Sequence, residues 1–239
     1  MGRFSEPLAV SFADLAALSS GGRVLDVGCG PGALTAELVR RQGAARVSAV
    51  DPSEPFVAAV RDRLPGVDAR LAAAESLPFP DGSFSAALAQ LVVHFMTDPV
   101  AGLREMGRVV APGGTVAACV WDFGGERAPL SLFWRAAQEL DASAPGESGL
   151  AGVRQGQLAA LLRQAGLVPV REGVLTVTAR YESFEDWWGS FLLGVGPAGA
   201  YVAALDPSSR AALREHCQGL LPAGLIEVSA SAWTATCPL

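Results

Sequence analysis

Val24-Leu25-Asp26-Val27-Gly28-Cys29-Gly30-Pro31-Gly32 passes from β-favouring residues, interrupted by one carboxylate, into a glycine-rich turn. A helix-forming stretch, Ala33 to Arg41, follows at once. The order is strand, tight turn and helix N-terminus. Glycines in such a turn adopt dihedrals closed to other residues and let a ligand approach the backbone. Nineteen residues past Gly32, Asp51 ends a second apolar run, Val47-Ser48-Ala49-Val50. An acid at the tip of the second strand of a βαβ unit can bind the two hydroxyls of a ribose. The pattern predicts a nucleoside-containing cofactor.

Two cofactor classes fit it. Gly28, Gly30 and Ala33 satisfy the looser dinucleotide fingerprint, which admits NAD and an oxidoreductase. A pyrophosphate needs free N–H groups at the helix N-terminus. Pro31 removes one of them, and Asp26 sets a negative charge just before the turn. Asp26 suits an ammonium group better than two phosphates. S-adenosylmethionine carries adenosine, ribose and a charged amino acid, with no phosphate.

At 239 residues the chain has the size of one α/β domain with an accessory lid. A net charge of −6 argues against a surface that holds nucleic acid or anionic lipid. A small-molecule partner is expected rather than nucleic acid or a membrane surface. All 18 basic residues are arginine. Without lysine there is no Schiff base for pyridoxal phosphate or aldol chemistry, and no P-loop lysine. The four cysteines, at 29, 119, 217 and 237, lie outside metal-ligand spacing. No metal is expected, and a reducing cytoplasm is the default for such cysteines. The chain shows no charged start followed by an apolar signal core. Its most hydrophobic stretch, Ala86 to Met96, is too short to span a bilayer and contains Gln90 and His94. A cytoplasmic monomer or homodimer is expected.

Along the chain, a short helix (Ser11 to Leu18) precedes strand one, Arg23 to Gly28. A helix (Ala33 to Gln42), strand two (Arg46 to Val50) and a helix after Pro52 follow, with Ser53 as its N-cap. Strand three is Asp68 to Ala72 and strand four Phe84 to Leu91. A helix from Pro99 to Val110 stops at Pro112-Gly113-Gly114, and strand five is Thr115 to Val120. Helices at Leu130 to Leu140 and Gln157 to Gln164 flank a loop. Strand six is Val168 to Ala179, and Leu225 to Thr236 is the last strand. Between them lie two or three helices, Phe184 to Leu193, Ala198 to Leu205 and Ser208 to Leu221. Strands alternating with helices predict a doubly wound parallel sheet. The expected organisation is one domain, 1–239. It comprises an N-terminal helix (1–22), a cofactor-binding core (23–122), the second half of the sheet (123–182), a helical lid (183–222) and a last strand (223–239).

Four ordered segments, Val24 to Gly32, Ala49 to Ser53, Ala74 to Phe79, and Leu103-Arg104-Glu105 through Pro112-Gly113-Gly114, carry a family resemblance. The chain resembles the class I S-adenosylmethionine-dependent methyltransferases, in the type 11 branch that includes the ubiquinone and menaquinone C-methyltransferases. The likeness is close over about residues 23 to 122. It implies a seven-stranded, Rossmann-like sheet with an antiparallel last strand, and S-adenosylhomocysteine as product. It also implies that Asp26 bonds the methionine ammonium and that the backbone of Gly28, Cys29 and Gly30 lies against the methionine portion. Asp51 would hold the ribose, Pro52 or Ser53 would pack on adenine, and Ala74 and Glu75 would border its edge. Gln90 would point to the amino-acid portion. Related chains often have an acid where Ala73 stands. They also carry a segment like Met1-Gly2-Arg3-Phe4-Ser5 further inside, which sets Arg3 near the cofactor carboxylate unless this end is frayed.

Methyl transfer from a sulfonium is an in-line displacement, so the protein mainly aligns the reactants and excludes water. His94, just after strand four, is the one credible general base. Trp121, at the tip of strand five, and the lid aromatics Trp187, Trp188 and Tyr201 are candidates to face the acceptor. Exposed members would favour an apolar or aromatic small molecule. A cofactor-binding protein without transferase activity stays open, as does the NAD-dependent oxidoreductase.

Overall fold

The computed structural model describes residues 2–194 and 196–239. Seven strands form one sheet in the order β3-β2-β1-β4-β5-β7-β6. The central strands β1 (Val24–Val27), β2 (Val47–Asp51) and β4 (Phe84–Gln90) pair in parallel, as do β3 (Asp68–Leu71) with β2 and β4 with β5 (Val110–Trp121). The last strand, β7 (Ile226–Pro238), runs antiparallel to both β5 and β6 (Arg171–Tyr181). This is the expected doubly wound, Rossmann-like sheet. Strands β1 and β2 are buried along their whole length, because helices cover both faces of a parallel sheet.

The helices are α1 (Gly2–Leu15), α2 (Ala33–Gln42), α3 (Glu54–Arg63), α4 (Pro99–Val109), α5 (Ser131–Leu140) and α6 (Gln157–Gln164). The segment between β6 and β7 holds α7 (Phe184–Gly189), α8 (Gly196–Ala204) and α9 (Pro207–Leu220). No helix among the described residues is long and apolar enough to cross a membrane.

Four local readings change. Helix α1 starts at Gly2, nine residues before the expected Ser11, because Phe4, Leu8 and Phe12 at helical spacing are buried in the core. Ser53 occupies the N-cap of α3 but makes no side-chain capping bond, since its own N–H is held by Asp51. Helix α9 starts at Pro207, one residue before the expected Ser208, and the Asp206 carboxylate caps it by accepting from the N–H groups of Ser208 and Ser209. Pro112-Gly113-Gly114 does not end an element. It is a bulge inside β5, where Val110 pairs with Phe84 and Thr115 with Ala86, and Gly113 has φ 82°.

Replacing Phe12, fully buried at the α1–sheet interface, by alanine should cost about 3–5 kcal/mol in urea-unfolding free energy. A loss below 1 kcal/mol would mean that α1 is a detachable arm.

Candidate active site

The glycine-rich turn is tied to the neighbouring strand. The N–H groups of Gly28 and Cys29 both donate to the Val50 carbonyl (2.8 and 3.0 Å), and that of Gly32 donates to Cys29. The N–H of Gly30 donates to Asp51 Oδ2 at 2.9 Å. Pro31 has none, so every donor from 28 to 32 is engaged within the protein. Gly28 is required sterically: its φ is 71°, and a Cβ there would lie 2.3 Å from Val92 Cγ2. At Gly30, by contrast, a Cβ would meet nothing within 4 Å. The turn leaves open space above it.

That space is a cleft of about 320 Å³ at the carboxyl ends of β1, β2 and β4. Asp26, Gly28, Cys29, Gly30, Asp51 and Gln90 line it. Asp26 is buried; its Oδ2 accepts from Thr35 Oγ1 at 2.6 Å, and its Oδ1 has no partner. Burial, reinforced by the Asp51 charge, raises the Asp26 pKa to about 7 against the pull of the Thr35 bond. Gln90 donates from Nε2 to the Ser5 carbonyl at 3.0 Å, while its buried Oε1 is also unpartnered. The first residues of α2, Ala33 and Leu34, complete this wall. First-turn N–H groups of a helix have no intrahelical acceptor and favour a carboxylate. Burial and both aspartates push the Cys29 thiol far up, so it is no nucleophile at neutral pH.

Pro52, Ala74 and Glu75 do not line the cleft. Pro52 is exposed, Ala74 is buried in the core, and Glu75 Oε1 accepts from the Asp98 N–H at 3.1 Å. His94 stands behind the wall. Its ring packs on Phe95 (centroids 4.0 Å apart) and Phe123 (6.0 Å), and it is Phe95 that lines the cleft. Burial lowers the His94 pKa to about 4, so the imidazole is neutral at pH 7, and its Nδ1 has no partner.

The aromatic residues expected to face an acceptor are elsewhere. Trp121 is buried, edge-on to Phe4. Trp187 and Trp188 are 2 % and 3 % exposed and pack with Phe184 and Phe191. Tyr201 leans on Trp134 at 5.7 Å and edge-on to Phe133. None of the four lines the cleft: Trp121 packs on Phe4 of α1, and the 183–222 segment spends its aromatic faces on its own packing against α5. The cover is instead the first turn of α1, through Gly2, Ser5 and Glu6, with Phe56, Leu91, Val92 and Phe95 as an apolar rim. Arg3 is not directed at the cleft; its guanidinium grips Asp186 (2.7 and 2.9 Å). The apolar heptad-like spacing of Phe4, Leu8 and Phe12 was the available signal that α1 docks here.

Residues 25–118 match the family described as "Methyltransferase domain". This stretch of the chain is similar to that family. It contains the glycine turn, Asp51, Gln90 and most of β1 to β5, so it covers the floor of the cleft but not its α1 roof. An uncharacterised methyltransferase of Mycobacterium tuberculosis is 40% identical over 105 residues, 44% of this chain and 42% of that one. The ubiquinone/menaquinone biosynthesis C-methyltransferase of Geobacter sulfurreducens is 35% identical over 119 residues, 47% and 46% of the two chains. The matched part is thus less than half the length of these curated relatives. The geranyl diphosphate C-methyltransferase of Streptomyces coelicolor, solved with S-adenosyl-L-homocysteine, shares the fold with a TM-score of 0.57 and 17% identity, over 98% of this chain and 79% of that one.

The raised Asp26 pKa fixes a pH dependence. The folded state holds this proton more tightly than the unfolded chain, so stability falls as pH rises from about 4 through 7. Asp26→Asn should remove that slope and make the ligand-free protein more stable than wild type at pH 8. Urea titrations at pH 5 and pH 8 that give parallel pH dependence for both proteins would contradict it.

Proposed function

We propose that the chain is an S-adenosylmethionine-dependent methyltransferase acting on a small apolar or aromatic molecule. The observation that carries this reading is a pair of buried acceptor oxygens, Asp26 Oδ1 and Gln90 Oε1, left without donors beside one cleft. Buried acceptors without partners cost free energy, and a ligand ammonium would satisfy both. Asp51 accepts from the N–H groups of Gly30 and Ser53, and a carboxylate has lone pairs left for a sugar diol. The N–H groups of Ala33 and Leu34 would face the ligand carboxylate. A pyrophosphate is poorly served, because the turn's own donors are used internally.

When bound, the cofactor supplies an activated methyl group on a sulfonium. The residues of the chain then have to bind, orient and dry the site, with Ser5 and Glu6 above and Leu91 and Val92 below. Phe56 and Phe95, 41% and 61% exposed at the rim, favour an apolar or aromatic acceptor. A neutral His94 behind Phe95 is a base only for an acceptor that displaces the phenyl ring. The acidic, lysine-free surface favours a free small molecule over nucleic acid.

Calorimetry should show binding of S-adenosylhomocysteine, weakened by about 1–3 kcal/mol in Asp51→Ala. Transfer of labelled methyl to a panel of quinones, phenols and amines tests the activity. Binding of NADH without any response to S-adenosylhomocysteine would overturn the assignment.

A further inference from the structure

The first turn of α1 roofs the cleft, and one of its helical hydrogen bonds is absent. Pro7 lies inside α1, so the N–H that would bond the Arg3 carbonyl is missing. Contacts from outside the helix hold the turn instead. Arg3 forms a bidentate pair with Asp186, donates to the Arg180 carbonyl at 2.8 Å, and lies over the Tyr181 ring at 4.7 Å. Asp186 is held in turn by the Glu182 N–H, and the Arg3 guanidinium keeps its carboxyl below the usual range. On the other side, Gln90 ties the Ser5 carbonyl to the floor of the cleft. Arg3 lies 177 residues from Arg180 and 183 from Asp186 along the chain, yet β6, α7 and α1 meet at one corner.

We propose that Arg3 and Asp186 form a clasp that keeps the first turn of α1 closed over the cleft and so sets how long its ligand stays. The 183–222 segment then acts on the site by fastening its roof rather than by covering it. Both residues are positioning residues, since neither lines the cleft. The clasp is partly exposed, with side chains 50% and 29% accessible, so the ion pair itself can break while Phe4 stays in the core, and salt weakens it. Ligand and roof share Gln90, which makes roof closure and ligand binding mutually supportive. The proposal rests on the S-adenosylmethionine reading only for the identity of the ligand.

Stopped-flow displacement of S-adenosylhomocysteine from the full chain measures the dissociation rate. Arg3→Met and Asp186→Asn should each raise it about five-fold, and the double variant should add nothing further. Wild-type dissociation should quicken with added salt while that of Arg3→Met stays flat. Arg163→Met, which removes an exposed pair with Glu172 elsewhere, should match wild type. Unchanged rates in both single variants, or effects that multiply in the double variant, would overturn the clasp. Hydrogen exchange of ligand-free protein gives an independent reading. The amides of Glu6 and Leu8 to Val10 should exchange faster in Arg3→Met, and equal exchange would overturn it. If S-adenosylhomocysteine does not bind wild type, the methyltransferase reading falls, and exchange alone decides the clasp.

Discussion

A carboxyl group buried without a counter-ion is the constraint around which the site is organised. Asp26 sits in the middle of a fully buried four-residue strand, with the Thr35 hydroxyl as its one hydrogen-bond donor. An apolar residue there would make a better core, and the fold carries the penalty of a polar one. The cost is localised: Asp26 lines the cleft, and its free oxygen is available to whatever enters. The glycine turn next to it is the opposite case. Its donors are all consumed by Val50, Asp51 and Cys29, which makes it a rigid ledge and not an anion nest. A hungry acceptor beside a saturated turn distinguishes this cleft from a phosphate-binding βαβ unit.

Two polypeptide layers lie outside the domain match, and of these α1 lines the cleft. Helix α1 brings backbone and small side chains to its roof, and its apolar face is anchored by Phe4 against Trp121. The 183–222 segment is an aromatic cluster with its own packing logic, Phe133 stacked on Phe191 at 4.5 Å and Phe184 on Trp188. Its ion pair with α1 and the hydrogen bond between His216 and Glu139 on α5 attach it to the body of the protein.

The β1–α2–β2 unit was legible because glycine, aspartate and β-branched residues each have a local conformational meaning there, and Ala33–Gln42 fell within the expected bounds. Asp26, Asp51 and Gln90 were legible as cleft residues for the same reason: strand ends are fixed by the period of the strand. Residues 2–10 were not, since Gly2 and Pro7 argue locally against a helix and tertiary burial of Phe4 and Leu8 overrides them. Nor could the sequence locate Trp187 and Trp188. A helical aromatic stripe says that a face is buried, but the neighbour that buries it is settled by packing over distances no local pattern encodes. Ala74 and Glu75 show the same limit, being drawn into the core and onto the Asp98 N–H.

The bulge in β5 has a practical side. Val110 and Thr115 are held in register by Phe84 and Ala86, and the stretch from Thr115 to Trp121 is clamped again by β7. Between those anchors the Gly113 N–H donates to the Leu239 carbonyl and the Leu239 N–H to that of Gly114, so the length the sheet does not count lies between Val110 and Gly113. Around Gly113 a side chain would meet nothing within 4 Å. Extra residues spliced in at that point would loop into solvent while both neighbouring ladders keep their alignment, which makes it a natural port for a reporter or a tether.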